Sequence, residues 1–153
     1  MQTKLAIWSQ DQGRRFDDIF NIVYSMEFLY HAWLNVKSNS GSTTPGVDGT
    51  TAEDYGENLN ERLKGLSRRL KSGSYSPQPV RREYIPKSEG EVRPLGIPTI
   101  EDRIVQESLR LTLEPIYESD FSDHSFGFRP NRSCHDAIAR IARQMAPAAG
   151  CYK

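Results

Sequence analysis

Arg81, Arg82, Lys87 and Arg93 punctuate the stretch from Val80 to Ile97. A guanidinium is a planar fork that can grip a phosphate through two N–H groups, and an ammonium is a compact point charge. Placed on either side of a turn, Lys87 and Arg93 can converge on one anion. The chemistry this implies is phosphate binding without base specificity. The segment belongs to a wider asymmetry. From Arg62 to Arg93 there are nine basic residues against three acidic ones, whereas residues 1–60 hold four against eight. The 20 Lys+Arg and 20 Asp+Glu of the whole chain cancel and conceal it. Such a local excess reads either as a polyanion-binding surface or as a solvated face of long side chains.

The remaining chemistry-bearing residues make no comparable set. His31, His124 and His135 lack ligand spacing, and Asp120 and Asp123 sit close together without further ligands. Cys134 and Cys151 exclude a disulfide framework and a four-cysteine zinc module, and no Cys/His/Asn arrangement makes Cys134 a nucleophile. Asn131-Arg132-Ser133 fits a glycosylation sequon, with no secretory signal to support it. There is no apolar run of membrane-spanning length, and Ser9-Gln10-Asp11 interrupts the N-terminus too early for a signal-peptide core. The expectation is a soluble, cytoplasmic protein with no membrane partner. Its 153 residues, 37% hydrophobic and 26% charged, suffice for one domain.

The elements that must position the cations follow from periodicity. Phe16, Ile19, Phe20, Val23, Tyr30, Trp33 and Leu34 predict one amphipathic helix over 16–37, with its aromatics in the core. Ser38–Gly49, rich in Gly and hydroxyls, predicts a loop with no means of burying itself. Thr50 and Glu53 resemble a capping box before a second helix, carrying Ala52, Tyr55, Leu59, Leu63, Leu66 and Leu70 and stopping near Gly73. Val80–Pro86 and Val92–Ile97, joined by a five-residue turn from Lys87 to Glu91, predict a β-hairpin. Pro86, Leu95 and Ile97 give it an apolar face, suited to lie on a nucleobase or to pack on a helix. Thr99 caps a third helix with Ile104, Val105, Leu109 and Leu113 inside; after a break at Ser119–Asn131, Ser133 caps a fourth, ended by Pro147. The fold class is α+β, helices packed around a small antiparallel hairpin.

Pro79-Val80-Arg81-Arg82-Glu83-Tyr84-Ile85-Pro86-Lys87 and Val92-Arg93-Pro94-Leu95-Gly96-Ile97-Pro98-Thr99 resemble the fingers subdomain of group II intron-encoded reverse transcriptases, which are right-hand polymerases. Ser125-Phe126-Gly127-Phe128-Arg129-Pro130-Asn131-Arg132-Ser133-Cys134-His135 resembles the next motif of that family, and Thr44-Pro45-Gly46-Val47-Asp48-Gly49 the loop before the first. The three stand in family order across about residues 35–145. Residues 16–153 thus resemble a fingers region, and residues 1–15 an extension of uncertain role.

The resemblance implies that Lys87 and Arg93 contact the triphosphate of an incoming dNTP. It implies that Arg81, Arg82, Pro86, Leu95 and Ile97 lie along the template, that the loop of Gly46 and Asp48 closes over it, and that Arg129 abuts nucleic acid. It implies RNA template, intron RNA and DNA primer as partners, maturase function, and Mg2+ held by palm aspartates in the full-length enzyme. No Tyr-Ala-Asp-Asp-like string occurs, and the sequence stops where the first palm aspartate motif is expected. No catalytic residue or metal ligand is therefore assigned here, and the chain is expected to be inactive alone. Two alternatives stay open: a non-catalytic RNA-binding module, and a fragment of a defence-associated or diversity-generating reverse transcriptase.

Overall fold

The computed structural model describes residues 1–11, 13–88 and 90–145. The chain is α+β: among the described residues, seven α-helices and one two-stranded antiparallel ribbon. The helix expected over 16–37 is instead broken. A single turn, α2 (Phe20–Val23), precedes α3 (Met26–Ser38), and the Ser25 hydroxyl accepts from the Phe28 N–H to start the new helix. The carbonyls freed at the break find partners elsewhere in the chain. Val23 O accepts from the Ser108 hydroxyl at 2.7 Å, and Tyr24 O from that of Ser67 at 2.6 Å. Helix α3 buries Phe28, Leu29, Ala32, Trp33 and Val36, while Tyr30 and Leu34 face solvent.

The second helix is likewise two. Helix α4 (Ala52–Gly56) is opened by a reciprocal capping box one residue later than expected, between Thr51 and Asp54. Helix α5 (Leu59–Ser72) buries Leu63, Leu66 and Leu70 and stops at Gly73, whose φ of +71° only glycine adopts without strain. Helix α6 (Ile100–Asp120) starts from Thr99 as expected, but its inner face is Ile100, Ile104, Val105, Ser108, Leu111 and Thr112. Leu109 is turned outward and Leu113 is half-buried, because the Ser108 and Thr112 hydroxyls satisfy themselves on backbone carbonyls and occupy core positions.

The N-terminal residues are integral to the helical body. Helix α1 (Gln2–Ser9) buries Leu5 against α6. Pro115 lies inside α6 and cannot donate to the carbonyl of Leu111 four residues back. The Gln2 amide fills that place, donating to Leu111 O at 3.1 Å.

The ribbon consists of β1 (Arg81–Ser88) and β2 (Glu91–Ile97). The expected hairpin is there, with a tighter turn: Ser88 pairs with Glu91, and Gly90 takes the connection at φ +82°. The helices do not surround it. The core is formed by helical residues from Phe28 to Leu111 and, among the described residues, contains none from the strands. Both ribbon faces mix charged with apolar side chains, so neither can enter a dry core, and Tyr84, Val92 and Leu95 remain exposed. Helix α7 (Cys134–Met145), capped by Ser133, buries nothing; Pro147, expected to end it, lies outside the described residues.

Candidate nucleic-acid interface

The strand register sorts the cations that the sequence grouped together. Pairs Arg81–Ile97, Glu83–Leu95 and Ile85–Arg93 alternate with Arg82–Gly96, Tyr84–Pro94 and Pro86–Val92. Side chains on opposite pairs share a face. One face therefore carries Arg81, Arg93, Leu95 and Ile97; the other carries Arg82 and Pro86 with Tyr84 and Val92. The expected apolar face of Pro86, Leu95 and Ile97 is thus divided. A register shift between Pro86 and Ser88 leaves Lys87 in a bulge. Its ammonium stands 3.7 Å from the Glu91 carboxylate, which brings it to the side that carries Arg93. At two-thirds exposure this ion pair is worth little, so Glu91 does not withhold Lys87 from a stronger anion.

The root of the ribbon is held by a group of residues that periodicity did not single out. The buried Asp102 carboxylate accepts from Thr99 Oγ1 at 2.7 Å, from the Gln78 N–H at 3.2 Å and from the Tyr75 hydroxyl. Burial, reinforced by that bond, pushes the Tyr75 hydroxyl well above its ordinary pKa and keeps it a donor. The segment entering β1 is thereby fixed to the first turn of α6.

Arg103, the next residue, ties the other side. Its Nε donates to Pro98 O at 3.0 Å, Nη1 to Gly41 O at 2.8 Å and Nη2 to Thr44 O at 2.8 Å. One guanidinium thus joins the exit of β2 to the loop Ser38–Gly49, which contains a 3-10 turn at Ser40–Thr43. Burial lowers its pKa; the Asp48 carboxylate opposes the shift and the Arg81 guanidinium adds to it. The expectation that this loop cannot bury itself is corrected at Gly46. That residue is buried, and a Cβ there would lie 2.6 Å from Thr99 Cα. Asp48 is exposed and its Oδ1 accepts from the Thr50 N–H at 3.2 Å.

Arg129 is committed inside the fold. It donates to Glu118 at 2.9 and 2.6 Å and to the carbonyls of Ser122 and Ser125 at 2.8 and 3.0 Å. It thereby shapes the loop after α6, where Phe128 (φ +58°) stands fully exposed. That backbone position is costly for a bulky residue and holds the ring out in solvent.

The signal for Asp102 was available, since Thr99-x-x-Asp102 is a helix-start pattern. No local signal marks Arg103, two of whose three partners lie 59 and 62 residues away. Among the described residues no three or more His, Cys, Asp or Glu side chains are grouped to hold a metal ion. These donors do not fit Mg2+.

Comparison with known proteins places this geometry in context. Residues 85–152 match the family described as "Reverse transcriptase (RNA-dependent DNA polymerase)". The chain is 44% identical over 146 residues to Protein YkfC of Escherichia coli, covering 95% of this chain and 38% of that protein. It is 42% identical over 145 residues to the group II intron-encoded protein LtrA of Lactococcus lactis, covering 92% of this chain and 24% of that protein. A 46-residue segment is 56% identical to nuclear intron maturase 2, mitochondrial, of Arabidopsis thaliana, covering 30% of this chain and 6% of that protein. The chain therefore spans well under half the length of these relatives, and the match to YkfC reaches into residues 1–15.

Proposed function

Because this chain belongs to the group II intron-encoded reverse transcriptase and maturase family, we propose that it is the fingers-type segment of such a polymerase. In this reading the ribbon lays template RNA and the triphosphate of an incoming dNTP beside a palm that holds Mg2+ and the DNA primer. The observation that carries it is the register: Lys87 and Arg93 share a side of an exposed ribbon with the apolar Leu95 and Ile97. An isolated two-stranded ribbon is marginal in water, so one with both faces in solvent calls for an external partner. Cations toward the turn suit a triphosphate, and apolar side chains toward the root suit the flat face of a base. Asp102 and Arg103 act as positioning residues that fix the ribbon's root and the Gly46–Asp48 loop to one helix. Intron RNA binding, as in a maturase, is part of the same proposal.

The test is a nucleotide titration in a full-length polymerase containing this segment. Arg93→Ala should cost about 1.5–3 kcal/mol in nucleotide use, the worth of a charge-assisted bond, with template binding nearly intact. Lys87→Ala should act similarly, and the double variant should fall short of additivity because both residues meet one ligand. Normal nucleotide affinity and turnover in both single variants would refute the assignment.

A further inference from the structure

Helix α5 carries a second concentration of positive charge, and none of it belongs to the ribbon. Arg62, Arg68 and Arg69 line an open cleft of about 690 Å3 with Gly65, Ser72, Ser74 and Glu101. Residues 62, 65, 69 and 72 succeed one another at three- and four-residue steps, so they form one stripe of the helix. Two of the guanidiniums are already oriented from within the chain. Arg62 lies 5.0 Å over the Tyr55 ring, and Arg69 meets Glu101 at 2.7 Å. Arg68 Nε donates to Lys64 O at 3.3 Å. Glu101 is the one carboxylate in the cleft, against three guanidiniums, and Arg62 and Arg68 have no carboxylate within ion-pair distance among the described residues. Lys64 and Lys71, also on α5, extend the positive field beyond the cleft, and Glu61 is the helix's single acidic residue.

Gly65 supplies an independent observation. Glycine is, after proline, the poorest residue for a helix interior, and it is ordinarily found there when a neighbour needs the space. No neighbour does: among the described residues, nothing lies within 4 Å of the position its Cβ would take. The opening created by the missing side chain faces out of the protein, at the centre of the three arginines.

We infer that this cleft is a second nucleic-acid site, in which the phosphodiester backbone of RNA approaches the α5 backbone at Gly65 between Arg62, Arg68 and Arg69. The choice of RNA rests on the family reading above; the choice of a phosphate backbone rests on the cleft itself. Guanidinium forks suit phosphate oxygens, the serine hydroxyls can bond phosphate or a 2′-OH, and the absence of a Cβ lets a backbone come close.

The test uses the 153-residue chain and a fluorescent RNA duplex, with anisotropy measured across a salt series and thermal melts in parallel. Gly65→Ala should raise Tm by about 2–4 °C, since it improves the helix without touching anything. Gly65→Leu should fold at least as stably as the parent yet bind the duplex roughly five- to tenfold more weakly, because its side chain fills the approach. Arg62→Ala and Arg68→Ala should each weaken binding about three- to tenfold and reduce the log–log salt slope by about one. Gly65→Leu binding within twofold of the parent, or arginine variants with unchanged slope, would overturn the site. A loss of affinity that merely follows a lowered Tm would do so too. Nucleotide titrations at the ribbon do not involve this cleft, so either reading can fail alone.

Discussion

Substituting Gly46 by Ala pits two effects of opposite sign against each other. Alanine restricts the unfolded chain and, where the native backbone tolerates it, stabilises by about 0.4–1 kcal/mol. At Gly46 the added Cβ would meet Thr99 Cα at 2.6 Å, Thr99 N at 2.7 Å and Pro98 C at 3.0 Å, where ordinary contact begins near 3.4 Å. All three are backbone atoms, so no rotamer change relieves the overlap. Thr99 is the cap of α6, and Arg103 clamps both sides of the contact through Pro98 O, Gly41 O and Thr44 O. Moving the loop away would therefore stretch those bonds as well. Overpacking of this kind costs about 1–3 kcal/mol, and immobile neighbours put Gly46 at the upper end. The net expectation is destabilisation by about 1.5–2.5 kcal/mol. Urea unfolding at 25 °C should show a lower midpoint at unchanged m, and Tm should fall by roughly 3–8 °C. A Gly46→Ala chain as stable as the parent, or more so, would refute the wedged loop.

Arg103→Leu leaves three carbonyls without their donor and should cost about 2–4 kcal/mol while making residues 38–49 the first site of limited proteolysis; an unchanged cleavage pattern would contradict the clamp. Arg81 and Arg82 face opposite sides of the ribbon, so Arg81→Ala, on the Arg93 side, should flatten the salt dependence of RNA binding by about one unit and Arg82→Ala by clearly less; equal effects would show that the register does not govern binding. Bonds from Thr51 and Ser133 hold the Asp54 and Asp136 carboxyls below their ordinary values; burial raises Glu107, but bonds from Arg110 and Asn35 outweigh it, so it too is lowered. Depressed folded values mean that this stability is fully present above about pH 5 and lost as pH falls further, so the urea midpoint should drop between about pH 5 and 3; a flat profile there would argue against these bonds.

Short-range chemistry in the sequence determined a good deal by itself. The alternation and turn residues between Val80 and Ile97 dictate a hairpin, the leucines at 63, 66 and 70 dictate the buried stripe of α5, and Gly73 and Thr99 dictate where helices stop and start. Each is written in neighbours a few residues apart, because a turn, a cap or a helical stripe is local. The motifs also carried the family, which the reverse transcriptase match and the 42% identity to LtrA bear out. Local patterns did not reveal the break at Ser25, because a helix interrupted for two residues keeps nearly the same apolar period. Its carbonyls are satisfied by Ser67 and Ser108, 43 and 85 residues away. Nor could they say which of Arg81 and Arg82 shares a face with Arg93, since the pairing register, shifted by a single bulge at Lys87, decides that. The Arg103 clamp, the burial of Gly46 and the docking of α1 through Gln2 and Pro115 all join residues distant in the chain. Such contacts exist only once the helices have packed, and tertiary structure alone decides them.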